Sequence, residues 1–182
     1  MKCKYVFASL WVTVVLFLGG CSSLLDTQTE NPAPATAASL KDGDYEKGVV
    51  TYVVDGDTFD VALENGNTER VRAVLINTPE ICHGSSASDC VAEPYGDDAA
   101  VFAKELLEGE TVYLEQDVSE RDPYDRLLFY VYLEDGRMFQ DVILREGLAE
   151  VAVYEPDVKH QAELEEAEES ARSQHVNLWS NP

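Results

Sequence analysis

The 182-residue sequence predicts a mainly β fold with a smaller helical part. Short apolar runs rich in β-branched residues are separated by tight-turn dipeptides, at Asp55-Gly56, Asn65-Gly66 and Asp135-Gly136. Such dipeptides between apolar runs indicate hairpins, because these residue types tolerate the positive φ angles that two-residue turns require. Other segments repeat apolar residues every three or four positions, as amphipathic helices do. The pattern predicts a small, strongly coiled antiparallel sheet or barrel with helices beside it.

Five strands are predicted in the body of the chain. In chain order they are Gly48–Val54, Thr58–Leu63, Thr68–Ile76, Thr111–Glu115 and Leu127–Leu133. The first is a β-branched run, and the second alternates apolar with polar residues, as a half-buried strand does. In the third, alternate side chains at Val71, Ala73 and Leu75 can face the core.

Three helices are predicted at Asp97–Glu108, Phe139–Glu146 and Asp157 to about His175. Glycines at 109 and 147 are typical of positions just past a helix end. The acidic run within the last helix marks a solvated face rather than a binding site. Five short strands with helices at the side or end fit a five-stranded barrel of the oligonucleotide/oligosaccharide-binding (OB) type with three helices.

The N-terminus has the pattern of an export signal. Lys2 and Lys4 precede an apolar run, 5–18, that is too short to span a membrane as a helix. The following Leu-Gly-Gly-Cys resembles the lipobox of bacterial lipoproteins, so residues 1–20 are predicted to be a lipoprotein signal peptide and Cys21 to carry the lipid. An ordinary secretory signal is the alternative. We expect a lipid anchor at Cys21 to hold the protein on the extracellular face of the cell membrane, with some of it released.

Residues 21–44 are predicted to be a flexible tether, because they offer little to bury and contain two prolines. The folded domain is predicted over 45–182. With Cys21 acylated, Cys82 and Cys90 remain, and outside the cytoplasm a disulfide between them is the simplest expectation. A metal site that includes His83 is the alternative, but zinc sites usually need four ligands and no second pair follows.

The charge balance excludes one way of binding nucleic acid. The chain has 13 Lys and Arg against 35 Asp and Glu, a formal net charge of −22. A broad basic surface that neutralises many phosphates is therefore excluded. An enzyme that concentrates a few positive charges and a cation in one cleft is not.

Four polar segments could carry chemistry. They are 54–58 with Asp57, 72–80 with Arg72 and Glu80, 93–96, and 122–127 with Arg126. Carboxylates two residues apart on a turn can bring oxygen ligands to Ca²⁺ or Mg²⁺. Pro79 restricts its neighbours and would hold Glu80 in a defined place. Each segment also has a purely structural interpretation: a turn, a salt bridge between Arg72 and Glu80, or the start of a helix.

In this order, the four segments resemble the staphylococcal nuclease (thermonuclease) family. The resemblance continues through 130–132, 135–138, 144–149 and 177–180, and spans about 48–180. It implies a five-stranded barrel with three helices. It also implies a phosphodiester hydrolase that cleaves DNA and RNA with Ca²⁺ as cofactor and leaves 3′-phosphate ends.

The resemblance also implies a role for individual positions. Asp57 corresponds to a calcium-binding aspartate, and Thr78 to a residue whose backbone carbonyl is a ligand. Glu80 corresponds to the carboxylate that orients or deprotonates the attacking water. The implied phosphate-binding and nucleotide-binding positions are Arg72, Arg126 and Tyr124.

Three positions depart from the family pattern. Asn77 stands where many members have a second calcium-binding aspartate, and we expect its amide oxygen to serve as the ligand instead. Asp125 replaces a glycine before Arg126, and Glu150 replaces a lysine. An enzyme is favoured, because a protein that only binds phosphate has no need of Glu80. The alternative is a catalytically weak or inactive OB-fold module that binds nucleic acid or a surface partner. The protein is expected to be a monomer.

Overall fold

The computed structural model describes residues 40, 44–82 and 91–180. The predicted signal peptide, Cys21, His83 and Cys90 lie outside the described residues, so the predicted acylation and the pairing of Cys82 with Cys90 stay predictions. Within these ranges no helix is both long and apolar enough to cross a membrane.

A closed five-stranded barrel forms the centre of the fold, with strand order β1-β2-β3-β6-β5. The barrel strands are β1 (Glu46–Val53), β2 (Thr58–Leu63), β3 (Thr68–Ala73), β5 (Thr111–Glu115) and β6 (Leu127–Leu133). Two short strands, β4 (Ile76–Asn77) and β7 (Glu150–Val151), pair with each other outside the barrel. The predicted five-stranded barrel of OB type is confirmed, and three of its strands have the predicted bounds.

The third predicted strand was wrong beyond Ala73. Leu75 has a φ of 61°, a left-handed conformation that a strand does not allow. The chain therefore turns out of the barrel after Ala73 and resumes as β4. Leu75 is still buried, as its place in the alternating pattern predicted. This turn places Asn77 and the residues that follow it at the barrel edge.

The predicted antiparallel pairing holds for the neighbouring barrel strands except β3 and β6, which run parallel. A parallel pair needs a crossover connection of a dozen or more residues, and here the long segment between the two strands contains a helix and β5. In the parallel register Arg72 lies opposite Leu128, two residues after Arg126. This pairing brings two arginines that are distant in the sequence to one end of the barrel.

The described residues contain three α-helices, α1 (Gly96–Leu107), α2 (Phe139–Arg145) and α3 (Gln161–Gln174), and a 3₁₀ turn at Asn177–Trp179. The first two match their predicted ranges to within a residue. The third was predicted to begin at Asp157 but begins at Gln161. The Asp157 carboxylate instead accepts hydrogen bonds from the backbone N–H groups of Val118 and Ser119, at 3.0 and 2.8 Å. Its contacts secure the loop that follows β5.

The core fills the barrel and the layer between the barrel and the helices. Gln140 of α2 is fully buried there: its side-chain oxygen accepts the Val131 N–H at 3.1 Å and its amide donates to the Phe129 carbonyl at 3.0 Å. These contacts satisfy a buried polar group and hold α2 on β6. Leu40, within the range predicted as a tether, is also buried in this core. The packed part of the chain therefore includes Leu40.

A polar cluster closes the barrel on the side of β5. Glu115 lies 2.8 Å from the Nε2 atom of His160, accepts a 2.8 Å hydrogen bond from the Tyr132 hydroxyl, and pairs with Lys159. Burial alone would raise the pKa of the Glu115 carboxyl. The hydrogen bonds from His160, Lys159 and Tyr132 outweigh burial and lower this pKa from 4.5 to about 2.

We predict that Glu115→Gln lowers the free energy of unfolding at neutral pH. A carboxyl whose folded pKa is depressed stabilises the fold fully above its unfolded pKa, and this stabilisation is lost as pH falls from about 4.5 towards 2. The full shift would correspond to about 3.4 kcal/mol, and solvent screening of the half-buried carboxyl makes the measured loss smaller. Urea denaturation between pH 2 and 7 measures it, and the difference between wild type and variant should vanish near pH 2. Glu134→Gln, in the exposed turn after β6, is the matched control. A difference that is independent of pH would contradict the assignment.

Candidate active site

A cavity of about 520 Å³ lies where the ends of β2, β3 and β6 meet. Its lining includes six of the residues singled out in the sequence: Asp57, Arg72, Asn77, Glu80, Tyr124 and Arg126. The seventh, Thr78, is buried directly behind Asp57 and contacts it. The predicted catalytic, metal-binding and substrate-binding residues thus come together at one place.

Two tight segments position Asp57. Its carboxylate accepts hydrogen bonds from the Thr78 N–H at 2.9 Å and the Thr78 hydroxyl at 3.1 Å. The Thr58 hydroxyl donates to the other carboxylate oxygen at 3.0 Å. Gly56 permits this approach, since a Cβ there would lie 2.7–2.8 Å from Thr78 side-chain atoms. The β1–β2 turn is therefore fastened to the corner that follows β4.

Burial dominates the electrostatics of Asp57, whose residue surface is only 6% exposed. Desolvation raises its pKa, and the charge of Arg72 opposes this effect without cancelling it. The Arg72 guanidinium lies 3.1 Å from the Asp57 carboxylate. Asp57 therefore places a partly desolvated anion at the base of the cavity, where a cation is favoured.

Arg72 points along the floor of the cavity. It donates to the carbonyl of Ala73 at 2.7 Å and to the Asn77 side-chain oxygen at 3.3 Å, besides pairing with Asp57. The structure pairs Arg72 with Asp57 rather than with Glu80, the salt bridge that the sequence left open. Glu80 is left exposed at the rim, next to the cavity.

Arg126 is held by Asp122, a residue for which the sequence assigned no role. The Asp122 carboxylate accepts the Arg126 Nε–H at 2.6 Å and the backbone N–H groups of Arg126 and Tyr124 at 3.0 and 2.9 Å. Burial opposes ionisation of Asp122, but these donors outweigh it and lower its pKa. Asp122 therefore stays ionised and orients the Arg126 guanidinium, which also donates to the Thr58 hydroxyl at 3.3 Å.

The segment before α1 holds the backbone of Glu80. The Glu80 N–H donates to the Glu93 carboxylate at 3.0 Å, and the Glu93 N–H donates to the Glu80 carbonyl at the same distance. A Cβ at Gly96 would lie 2.6 Å from that carbonyl, so glycine allows the close approach. The sequence indicated only a turn here, and the structure shows a clamp on Glu80.

Two exposed tyrosines flank the cavity. Tyr124 is 80% exposed, and its ring centroid lies 5.5 Å from the Arg126 guanidinium carbon. Tyr154 is 72% exposed, also lines the cavity, and was missed in the sequence. An aromatic residue directly before Glu155, at the end of a short apolar run, is the one signal that could have indicated it. Exposed aromatic rings beside cations are suited to stacking on nucleic-acid bases.

Comparisons with known proteins agree with the fold and the site. The family model described as staphylococcal nuclease homologue matches residues 70–181. A thermonuclease of Staphylococcus hyicus is 34% identical over 148 residues, which cover 81% of this chain and 84% of that protein. This chain belongs to the staphylococcal nuclease family.

Two relatives in Bacillus subtilis belong to the same group of matches. The SPbeta prophage-derived endonuclease YokF is 45% identical over 129 residues, 70% of this chain and 42% of YokF. Endonuclease YncB is 43% identical over 129 residues, 70% of this chain and 58% of YncB. The chain thus spans about half the length of these two relatives.

Exposed carboxylates lie close to the candidate site of this member of the staphylococcal nuclease family. The Asp125 side chain, in a left-handed turn with φ of 67°, is 88% exposed and lies 3.6 Å from Arg121. Glu150 lines a second, smaller cavity together with Glu93 and Asn77. One exposed carboxylate therefore lies beside Arg121, and two others line the smaller cavity, which shares Asn77 with the main cavity.

The predicted metal ligands supply one carboxylate, one amide oxygen and one backbone carbonyl. In the described ranges no three His, Cys, Asp or Glu side chains converge as a metal site would require. The predicted set does not need such a cluster. Among the described residues the Thr78 carbonyl has a single hydrogen-bonding neighbour, the Asn77 amide at 3.4 Å, and the Asp57 carboxylate is desolvated. Hard oxygen donors of this kind fit Ca²⁺.

We predict that Asp57→Asn stabilises the fold in buffer without divalent cations. The folded pKa of Asp57 is raised, so its contribution to stability is largest below the unfolded pKa and is lost as pH rises through the folded pKa. At neutral pH a neutral amide avoids the cost of burying the Asp57 charge and is the better-tolerated group. Urea denaturation at pH 7 measures the change. Asp60→Asn, on the outer face of β2 against Arg70, should not show this gain, and equal effects of both substitutions would refute the explanation.

Proposed function

We propose that the domain is a nuclease that hydrolyses phosphodiester bonds of DNA and RNA, requires Ca²⁺ and leaves 3′-phosphate ends. The observation that carries the proposal is the convergence of Arg72, Glu80 and Arg126 on the cavity whose base is Asp57. Membership of the staphylococcal nuclease family and the endonuclease relatives support it. The reaction needs charge stabilisation at phosphorus and a positioned water, and these residues supply both.

The two arginines are suited to stabilise the transition state. Attack on a phosphodiester increases negative charge on the phosphoryl oxygens, and guanidinium groups bind such oxygens with two parallel hydrogen bonds. Arg126 donates from its Nε atom to Asp122 and from its Nη1 atom to Thr58. These two hydrogen bonds do not use the Nη2 atom, which can donate to a phosphoryl oxygen. Preorganisation by Asp122 and Asp57 means that neither arginine must find its orientation during the reaction.

Glu80 is suited to act on the water. Its backbone is clamped by Glu93, while its side chain stays exposed beside the cavity. A carboxylate in this position can orient a water and accept its proton as the water oxygen attacks phosphorus. When the bond to the 5′-oxygen breaks, the water oxygen remains on the 3′-phosphate. The 5′-oxygen takes a proton from solvent and leaves as a hydroxyl, and Glu80 returns its proton to solvent.

Asp57, the Thr78 carbonyl and the Asn77 side chain are the residues that would hold Ca²⁺. When bound, the ion supplies positive charge close to the phosphate. Because Asn77 replaces a carboxylate, the site has little ligand charge, and calcium affinity rises with that charge. An exported enzyme tolerates a weak site, since sites in extracellular modules often work at roughly 10⁻⁴–10⁻³ M.

The proposal includes export and anchoring. The sequence pattern at 1–21 supports a lipid attached to Cys21 and a location on the extracellular face of the cell membrane. In that oxidising compartment Cys82 pairs with Cys90, and the protein acts as a monomer. Intact-mass analysis of chain recovered from the cell surface tests the lipid and the disulfide together.

The direct test is digestion of supercoiled plasmid DNA and of single-stranded RNA by the chain from Ser22 onward. We expect cleavage with Ca²⁺, none with a chelator, and products whose 3′ ends are substrates for a phosphatase. Binding without cleavage in Ca²⁺ would favour the inactive binding module. Cleavage that persists in chelator would contradict the calcium requirement alone.

We predict that Glu80→Gln lowers kcat by about 10²–10⁴, the range typical of a general base. The circular dichroism spectrum should not change, because the clamp from Glu93 acts on the backbone of residue 80. Glu134→Gln is again the matched control. Turnover by Glu80→Gln at the wild-type rate would remove Glu80 from the mechanism.

We predict that Asn77→Asp tightens calcium binding and lowers the Ca²⁺ concentration needed for half-maximal activity. The added charge faces Arg72, whose guanidinium now contacts the Asn77 oxygen. At saturating Ca²⁺ its kcat should fall, because a less positive site stabilises phosphoryl charge less. Calorimetry without nucleic acid, together with a calcium titration of cleavage, measures both. Asn65→Asp, in the β2–β3 turn, makes the same charge change away from the cavity, and equal shifts in both variants would exclude Asn77 as a ligand.

A further inference from the structure

A third guanidinium, that of Arg121, lines the same cavity. Arg121 lies on the hairpin that also carries Arg126: the Asp122 N–H donates to the Arg126 carbonyl and the Leu128 N–H to the Glu120 carbonyl, each at 3.0 Å. The proposed function gives Arg121 no role. Because both arginines sit on one hydrogen-bonded hairpin, their backbones keep a constant separation.

Arg121 is held in place but keeps free donors. Its Nη1 atom donates to the Glu69 carboxylate at 3.1 Å and to the Asp125 carbonyl at 2.9 Å, and its Nη2 atom donates to the same Glu69 oxygen at 3.1 Å. A guanidinium has five N–H donors. Two are therefore unused by these three hydrogen bonds, one on Nη2 and one on Nε, and the exposed Glu120 carboxylate lies 3.9 Å from Nε. The Arg121 side chain is 31% exposed. An arginine in this state is preorganised to donate hydrogen bonds to an oxyanion.

The position of Arg121 differs from that of Arg72 and Arg126, the two arginines proposed to bind the scissile phosphate. Glu69, which anchors it, lies three residues before Arg72 on β3, a distance of about 10 Å along a strand. Tyr124, with its exposed ring, follows Arg121 on the same hairpin. A nucleic-acid strand bound at Arg72 and Arg126 would therefore meet Arg121 with a different phosphate.

The charge distribution makes this contact significant. Ten of the 13 Lys and Arg residues of the chain fall in the described ranges. Three of those ten, all arginines, line the cavity. The surrounding surface is dominated by carboxylates, which repel phosphate. A bound strand thus has few cations to contact. Within this cavity, Arg121 is the arginine that remains besides Arg72 and Arg126.

We propose that Arg121 binds the phosphate that flanks the scissile one in a single-stranded nucleic acid, and that the nearby negative charge of Asp125 weakens binding at this subsite. The proposal rests on the proposed function, because it places the scissile phosphate at Arg72 and Arg126. The Asp125 carboxylate lies 3.6 Å from the Arg121 Nη1 atom and is almost fully exposed, so its charge repels a phosphate that approaches the unused Nε and Nη2 donors.

The subsite is tested by measuring the affinity of the chain for single-stranded oligothymidylates. Chelator is present to prevent cleavage, and each phosphate in turn is replaced by a neutral methylphosphonate. Probe integrity is checked by mass spectrometry after each titration. In the wild-type chain one replacement next to the scissile position should weaken binding at least about 10-fold, the lower end of the effect of a hydrogen bond to a charged group. In Arg121→Gln that replacement should have no effect. The slope of log affinity against log salt should also fall by about 0.7, the value for one contact on a single strand.

Two further variants sharpen the test. Arg137→Gln makes the same charge change in the turn after β6, where Arg137 pairs with Asp135, and should leave the methylphosphonate pattern unchanged. Asp125→Asn removes the nearby negative charge and should tighten binding about 2–5-fold, but only while Arg121 is present. If Arg121→Gln weakens a mononucleotide as much as the longer probes, or every methylphosphonate penalty survives in it, Arg121 only supports the hairpin and the proposal is overturned.

The cleavage assay separates this inference from the proposed function. A chain that binds with the predicted phosphate pattern but hydrolyses nothing refutes the nuclease and keeps the subsite. A chain that cleaves normally but shows no position specific to Arg121 keeps the nuclease and refutes the subsite. Absence of any oligonucleotide binding refutes the subsite directly.

Discussion

The hydrogen bonds from Thr78 to the Asp57 carboxylate are the contact on which the rest of the site depends. They join residues 21 positions apart and fasten the β1–β2 turn to the corner after β4. Asp57 lies on one of these segments, while Asn77 and Glu80 lie on the other. Gly56 allows the two segments to approach, because any side chain there would collide with Thr78. Burial makes this contact strong and also makes the Asp57 charge unfavourable, as its raised pKa shows.

Each arginine of the cavity is oriented by its own carboxylate. Arg72 pairs with Asp57, Arg126 with Asp122, and Arg121 with Glu69. In a chain with a formal net charge of −22, a long-range positive field cannot attract a polyanion. Recognition must then depend on short-range, directional contacts, which oriented guanidinium groups provide. The acidic partners thus serve the binding of an anion by fixing where the positive charge points.

Local pattern predicted most of the fold. The strands β2, β5 and β6 have the predicted bounds because alternation and turn residues are local signals. The prediction of the third strand was wrong after Ala73, because the left-handed conformation of Leu75 does not change the alternation of apolar residues in the sequence. The predicted start of the third helix was wrong, because the Asp157 side chain binds the backbone of another loop. A carboxylate before an apolar run looks the same in sequence whether it caps a helix or secures a distant turn.

The sequence by itself determined which residue types were available and, through the family resemblance, that Asp57, Arg72, Glu80 and Arg126 belong to one site. Only the tertiary structure decided their partners. The parallel pairing of β3 with β6 brings Arg72 close to Arg126, and the turn at Leu75 directs Asn77 and Glu80 to the cavity. The roles of Asp122 and Glu93 as supports for Arg126 and Glu80 also emerged only there. The physical reason is that ion pairs and clamps depend on distances set by the crossover between strands, and residue order alone does not specify those distances.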